Sequence, residues 1–336
     1  MRYLVTGGCG FIGSHLVEQL ISHGHDVTVL DDLSTGRIEN LQDCLTNKKL
    51  RLVRGSVTDP LAVESSMQDA DAVFHLASAV GVRLIMNQPI ESIDTMVIGT
   101  QNVLKYANRL RLPLLLTSTS EVYGKSKDVP FDEDGDRLAG PTTKHRWAYA
   151  CAKALDEFMA LAYWRTNGLP VIVVRLFNTV GPRQSADYGM VVPNFIQRAL
   201  ADQPLEIHGQ GSQTRCFCHV ADVVRGLISL INCPQAFGQV INLGSCDEIS
   251  VTDLAKRIIA ELQSESSLVR IPYIDIYGEG FEDMQRRMPS ISKAHRLIGW
   301  YPEKGLSEII HDVAKHLSVK SELGGSSAED MGSHPA

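Results

Sequence analysis

The sequence predicts an α/β protein: a doubly wound parallel sheet covered by helices on both faces, with a smaller lobe built from the C-terminal half. Three observations predict it. Short β-branched runs alternate with amphipathic stretches through the first half, a glycine cluster sits at the first strand-to-helix junction, and the rhythm changes after about residue 180.

Tyr3–Thr6 reads as a short buried strand. Ile12, Leu16, Val17, Leu20 and Ile21 then recur at helical spacing until Gly24 ends the helix. Val27–Leu30, Leu50–Arg54 and Ala72–Leu76 are the second, third and fourth strands. A helix over about 95–109 precedes a fifth strand at Pro113–Ser118, and a long helix over about 147–166 precedes a sixth at Val171–Leu176. Gly181-Pro182 then breaks the chain, a helix follows over about 191–201, and residues 204–220 read as short extended pieces. Val240–Leu243 is another strand. Ser250 starts a helix as its cap, with Asp253 suited to the positive N-terminal end. The expected organisation is a nucleotide-binding domain at 1–178 with later returns near 215–245, a lobe at 179–318, and a tail at 319–336 too poor in apolar residues to pack.

Composition excludes several classes. Of 336 residues, 44% are hydrophobic and 21% charged, enough for a sizeable core without disulfide or metal staples. No apolar run approaches the roughly 18–20 residues that span a bilayer, so no membrane partner is expected. The start, MRYLVTGGCGFIG, carries one basic residue before turning glycine-rich, which does not read as a secretory signal. With 32 basic and 39 acidic residues the net charge is −7 and no basic block stands out, so no nucleic-acid partner is expected either. The seven cysteines are scattered without a CxxC pair and read as reduced thiols of a cytoplasmic protein. No His, Cys or Asp cluster has metal-ligand spacing.

The segment Gly7-Gly8-Cys9-Gly10-Phe11-Ile12-Gly13 joins the first strand to the first helix. Glycines at 7, 10 and 13 permit a tight turn, close backbone approach to a pyrophosphate, and close packing of helix on strand. The helix N-terminus then offers free N–H groups to the phosphates. Asp31, at the end of the second strand, is placed to accept from a ribose 2′-hydroxyl and to repel a 2′-phosphate, which favours NAD over NADP. The domain is therefore expected to be Rossmann-type.

The GxxGxxG spacing is that of short-chain dehydrogenases, and the chain resembles the extended branch of that family, the NAD-dependent epimerases and dehydratases of nucleotide sugars. The resemblance covers about 1–318. It rests also on Val5-Thr6-Gly7-Gly8, Phe74-His75-Leu76-Ala77, Ser120-Glu121-Val122-Tyr123-Gly124, Tyr149-Ala-Cys-Ala-Lys153 and Arg175-Leu-Phe-Asn178. It implies that Phe11, Ile12, Ser56, Val57, Leu76 and Ala77 line the cofactor together with the glycines and Asp31. One departure is plain: the family often has Asn-Val-x-Gly-Thr where this chain has Met96-Val97-Ile98-Gly99-Thr100.

Tyr149 and Lys153 are four apart in a helix and share a face. A neighbouring ammonium and a positive nicotinamide are expected to lower the phenol's pKa from about 10, making a base for a sugar hydroxyl. Thr119 aligns with the family hydroxyl that bridges sugar and tyrosine. His75 and His219 read as core or strand histidines.

The fold hosts several reactions, so the site must choose among them. Family dehydratases generally carry Thr-Asp-Glu where this chain has Thr119-Ser120-Glu121, and a serine is a poor general acid. Simple 4-epimerases usually have a small or neutral residue in place of Glu121. The Thr-Ser-Glu-Val-Tyr-Gly run instead resembles the UDP-glucuronate decarboxylases. Tyr277-Gly-Glu-Gly-Phe-Glu-Asp-Met-Gln-Arg-Arg287 is similar to their arginine-bearing segment, with Arg287 aligned to the catalytic arginine. Oxidation at C4 makes the C6 carboxylate a β-keto acid. Loss of CO₂ then needs an orienting hydroxyl (Ser120), a cation near the carboxylate (Arg287) and a proton donor at C5, a role open to Glu121 or Arg287. Asn178 and the helix start at Val192 match diphosphate positions, and Arg215 matches a phosphate-binding arginine. The expected activity is decarboxylation of UDP-glucuronate to UDP-xylose or a UDP-4-keto-pentose. The alternatives are a UDP-sugar 4-epimerase, less favourably a 4,6-dehydratase, and outside enzymes an NAD-sensing regulator. A homodimer built on the helices near 95–109 and 147–166 is expected from the family.

Overall fold

The computed structural model describes residues 1–79, 88–186, 190–277 and 284–325. In chain order the larger elements are β1 (Arg2–Thr6), α1 (Phe11–Ser22), β2 (Asp26–Asp31), β3 (Leu50–Arg54), α2 (Pro60–Met67), β4 (Ala72–His75), α3 (Pro89–Leu110), β5 (Leu114–Thr119), α4 (Ala148–Asn167), β6 (Val171–Leu176) and β7 (Thr179–Val180). There follow α5 (Val191–Leu200), β8 (Leu205–His208), β9 (Thr214–Cys216), β10 (Cys218–His219), α6 (Val220–Ile231), β11 (Val240–Leu243), β12 (Glu248–Ser250), α7 (Val251–Leu262), β13 (Leu268–Ile271), α8 (Tyr273–Tyr277), α9 (Ser292–Ile298) and α10 (Leu306–Gly325).

Seven strands form one wholly parallel sheet in the order β3-β2-β1-β4-β5-β6-β11. Strand residues alternate between two cores, as the period of two requires. Tyr3, Val5, Ile172 and Val174 pack on one face with Leu16, Val17, Leu20 and Leu227. Leu4, Val171 and Val173 pack on the other with Val103, Leu104 and Ala107. β11 joins β6 after a long excursion, so the last strand of the sheet comes from the second half of the chain.

The remaining strands pair in three two-stranded ribbons, β10-β7, β12-β9 and β13-β8. A separate core holds this lobe together, built from Phe195, Ile196, Leu205, Ile207, Leu254, Ile258, Ile310 and Val313. Asp222 of α6 fastens the chain leading to α10, its Oδ2 accepting from the backbone N–H groups of Glu303 and Lys304 at 3.0 and 2.9 Å.

Several boundaries differ from expectation. α3 starts at Pro89, where proline suits the first helical turn. Leu76 lies one residue beyond β4. α2 was not expected, although its signal is ordinary: Asp59 caps it by accepting from the Leu61 N–H at 2.9 Å, and Pro60 follows. α10 runs to Gly325, seven residues into the expected tail, because extending an existing helix through Lys320-Ser-Glu-Leu323 costs far less than nucleating one. Residues 326–336 lie outside the described residues, as do 80–87, 187–189 and 278–283, the last within the arginine-bearing segment.

Candidate active site

β1 and β4 are neighbours, and their helices leave to opposite faces. This is the topological switch point where open α/β sheets bind ligands. A cavity of about 940 Å³ opens there and continues to the second lobe, with Gly7, Gly13 and Asp31 at one end and Arg215, Tyr273 and Arg287 among the lining residues.

The glycine loop has the geometry expected of a phosphate cradle. Gly7 has φ +70°, and a Cβ on it would fall 2.8 Å from the Ala77 nitrogen. A Cβ on Gly13 would fall 2.1 Å from the Gly7 carbonyl oxygen, which only glycine tolerates. α1 starts at Phe11 with no side chain capping it, so its first N–H groups face the cavity end with a positive dipole. Asp31 is buried at the end of β2 and accepts from Cys9 N–H and Leu33 N–H, each at 2.9 Å. Burial pushes its carboxyl up, while these two hydrogen bonds oppose the shift. Each oxygen keeps a further lone pair for a ribose hydroxyl. Phe11, Ile12, Val57, Leu76 and Ala77 line the same cavity. Ser56 does not: its hydroxyl pairs with the Thr58 hydroxyl at 3.0 Å. The donor set and the absent Cβ atoms fit a dinucleotide pyrophosphate and ribose.

Further along the same carboxyl edge of the sheet, β5 delivers Thr119 and a 3-10 turn (Ser120–Tyr123) carries Ser120 and Glu121. Thr119 Oγ1 accepts from the Glu121 N–H at 3.2 Å and so shapes the turn. Arg287 reaches across from a segment 166 residues away. It donates to Glu121 Oε1 and to Ser120 Oγ, both at 2.7 Å. Ser120 is fully buried and does not line the cavity, whereas Glu121 and Arg287 do.

Tyr149 and Lys153 of α4 line the cavity beside this cluster. The phenol packs with Met96 and Ala152, so the methionine that stands where relatives often have asparagine makes its surroundings apolar. Burial pushes the Tyr149 phenol well above its ordinary range, and the Glu121 carboxylate adds to this. A hydrogen bond with Thr119 and the charge of Arg287 oppose it. The expected lowering of this phenol's pKa depends on the ammonium and a bound nicotinamide together, and in the chain without the dinucleotide the balance lies the other way. The ammonium is engaged by Asp156, Nζ to Oδ2 at 2.9 Å, in a fully buried ion pair. A carboxylate three residues after the lysine carried no signal that sequence reasoning used.

The second lobe contributes Asn178, Val192 and Arg215, all on the cavity wall. Asn178 Nδ2 donates to the Cys216 carbonyl at 3.0 Å, and Arg215 Nη1 to the Thr214 carbonyl at 2.8 Å. Arg183, Gln184 and Tyr273, which were not anticipated, line the cavity too, as does His208. His75 is buried between Thr6 (2.7 Å) and Thr100 (3.1 Å), and burial holds it neutral, down to about 3. His219 caps α6 by accepting from Ala221 N–H at 3.1 Å. Neither lines the cavity, in line with their reading as core and strand residues.

Fold and site together define a class: a dinucleotide-dependent α/β enzyme of the short-chain dehydrogenase kind, with a tyrosine and a lysine on one helix face. The chain belongs to the NAD-dependent epimerase/dehydratase family, matching the family model described as GDP-mannose 4,6 dehydratase over residues 4–313. It is 40% identical over 314 residues to UDP-N-acetyl-alpha-D-glucosaminuronate decarboxylase of Bacillus cytotoxicus, covering 92% of this chain and 96% of that one. It is 39% identical over 320 residues to UDP-glucuronic acid decarboxylase 1 of Danio rerio, covering 94% and 73% respectively. Among solved structures, UDP-glucuronic acid 4-epimerase from Bacillus cereus, in complex with UDP-glucuronic acid and NAD, superposes with a TM-score of 0.85 at 27% identity, covering 95% of this chain and all of that one.

Proposed function

We propose that this chain binds NAD and a UDP-hexuronate and decarboxylates the sugar after oxidation at C4, converting UDP-glucuronate to UDP-xylose or a UDP-4-keto-pentose. The observation that carries the reading is Arg287, fixed onto Glu121 and Ser120 beside Tyr149. A cation beside a carboxylate-bearing sugar serves a decarboxylase, whereas a dehydratase needs a general acid where Ser120 stands.

Gly7, Gly10, Gly13 and Asp31 hold the dinucleotide, and Val57, Leu76 and Ala77 wall it. When bound, NAD supplies the hydride acceptor for C4 and the donor that returns it. Tyr149 takes the proton of the C4 hydroxyl, with Thr119 aligning the phenol. Arg287 holds the C6 carboxylate in the orientation in which its bond to C5 overlaps the C4 ketone. Ser120 acts through Arg287 by fixing the guanidinium plane, and Glu121 or Arg287 delivers the proton to C5. Asn178, Arg215 and the start of α5 at Val192 take the diphosphate.

We divide the chain at the same boundaries as the sequence reading, a dinucleotide domain at 1–178 and a sugar-nucleotide lobe at 179–318. A homodimer is supported by exposed apolar side chains on the two long helices, Ile90, Ile93 and Ile98 of α3 with Leu155 and Phe158 of α4. The cytoplasm is the setting that the scattered cysteine usage supports.

The test is incubation with UDP-glucuronate, its 2-acetamido counterpart, UDP-glucose and UDP-N-acetylglucosamine, reading CO₂ release and product mass. Loss of the mass of CO₂ from a uronate alone is the expected result. Unchanged mass with inverted C4 favours the second reading, 4-epimerisation, which the likeness to the Bacillus cereus epimerase supports. No turnover of any sugar, with NAD still bound, is what a sensor would give.

A further inference from the structure

Arg287 and its partners Ser120 and Glu121 come from two short segments, neither of which belongs to a long helix or to the central sheet. Ser120 and Glu121 sit on the 3-10 turn that ends at Tyr123. Arg287 lies on the irregular stretch from Met284 to Ile291 that leads into α9. With no ladder to fix them, both segments depend on hydrogen bonds from outside.

Both are tied to one side chain. Asn242 of β11 is fully buried, and its carboxamide is engaged at the oxygen and at both hydrogens. Oδ1 accepts from the Tyr123 hydroxyl at 2.9 Å, and Nδ2 donates to the carbonyls of Phe131 at 3.0 Å and Ser290 at 3.2 Å. Carbonyls only accept, so the orientation of the amide is fixed by its partners. Phe131 closes the arrangement. Its N–H donates to the Met288 carbonyl at 2.8 Å, its carbonyl accepts from the Ser290 N–H at 2.9 Å, and its ring stacks on Tyr123 at 4.6 Å. The amide thus stands behind both halves of the contact between Arg287 and Glu121.

Other groups hold the arginine-bearing stretch from its outer side. The Thr214 N–H donates to the Gln285 carbonyl at 2.9 Å, and Arg286 pairs with Glu248 at 2.8 Å. The ion pair is half exposed, so solvent screening leaves it weak. Neither contact involves the turn that carries Glu121.

Resting on the reading that Arg287 holds a sugar carboxylate, we propose that Asn242 is a positioning residue: it sets the separation of Arg287 and Glu121, and through it the preference of the site for a carboxylate-bearing sugar over a neutral one. A guanidinium recognises a carboxylate by direction as well as charge, so a shift of its segment weakens that contact first. The diphosphate is taken by the second lobe and does not depend on this amide. A carboxamide is also the group the place demands. Aspartate would aim an oxygen at two carbonyls, and alanine would take a partner from a buried hydroxyl and from both carbonyls at once.

The test uses the full-length chain loaded with NADH, which accepts no hydride, so calorimetry reads binding without turnover. Affinities for UDP-glucuronate and UDP-glucose are compared in the natural chain, Arg287→Ala, Asn242→Ala and Tyr123→Phe. The natural chain is expected to bind the uronate more tightly, and Arg287→Ala to abolish that preference. Asn242→Ala is expected to cut the preference by about tenfold while leaving the affinity for UDP-glucose nearly unchanged. Equal weakening of both sugars is the mark of a merely structural role and overturns the proposal. A preference that Arg287→Ala abolishes and Asn242→Ala keeps overturns it too, and leaves the reading of Arg287 standing. A preference missing from the natural chain, or surviving Arg287→Ala, overturns both. Where Asn242→Ala does not fold, Tyr123→Phe decides by the same criteria. It removes one of the three hydrogen bonds and keeps the ring on Phe131, so the expected drop is about threefold.

Discussion

Arg287 stands out among single residues because its two donors engage two acceptors 2.7 Å away, a geometry lysine cannot reproduce. Arg287→Ala is expected to lower kcat by about 10²–10³, the usual cost of removing one placed cationic donor, and Arg287→Lys to recover only a small part. Steady-state CO₂ release measures both, with NAD binding unchanged as the control. At this scale sequence reading named Thr119, Glu121, Tyr149, Lys153 and Arg287 from their local runs, and the fold brings all five to the wall of one cavity. It missed Asp156, whose partner is visible only once α4 is wound and buried. It gave Ser120 the part of an orienting hydroxyl, and the fold turns that hydroxyl inward, where it accepts from Arg287.

Among the elements, the β1-α1 junction and α4 do the most to place the site. A methyl group at Gly13 would meet the Gly7 carbonyl oxygen, so Gly13→Ala must displace the loop. Calorimetry is expected to show NAD affinity falling by at least about tenfold, with less effect on binding of UDP alone. α4 is fastened to β6 by Arg175, which donates to Glu157 at 3.0 and 2.8 Å and to the Glu133 carbonyl at 3.0 Å, while its guanidinium lies over the Tyr123 ring. Glu157→Ala leaves that guanidinium buried without its counter-ion and is expected to cost about 3–5 kcal/mol in denaturant unfolding. Element types were legible from periodicity. The short helix α2 was passed over although Asp59-Pro60 announces it, and α10 because a polar amphipathic stretch was read as tail.

Across the whole molecule, two histidines, the buried His75 and the half-buried His15, couple stability to pH. Burial holds His75 down to about 3 and His15 to about 4, against 6.5 in an unfolded chain. Between those values and 6.5 the unfolded chain binds protons that the folded one does not. Stability is therefore complete above about pH 6.5 and falls as pH drops, by up to about 1.4 kcal/mol per pH unit for each histidine. Urea unfolding at a series of pH values checks the slope, and His15→Gln should remove one histidine's share. The apolar faces of α3 and α4 bear on assembly. On the proposal of a homodimer, Phe158→Asp, at an exposed position, is expected to give monomers in sedimentation where the natural chain gives dimers, without unfolding the chain.

The sequence by itself determined the doubly wound architecture, the glycine cradle, Asp31 and the Tyr149–Lys153 face, because each depends on residues close together in the chain. Tertiary structure alone decided that Arg287 meets Glu121 across 166 residues, that β11 completes the first sheet, and that burial raises the phenol while Asp156 claims the lysine. Those outcomes depend on which distant side chains share one desolvated space. Local spacing sets the direction in which a side chain leaves the backbone, but the charge it meets there is fixed only when the sheet and its helices close around it.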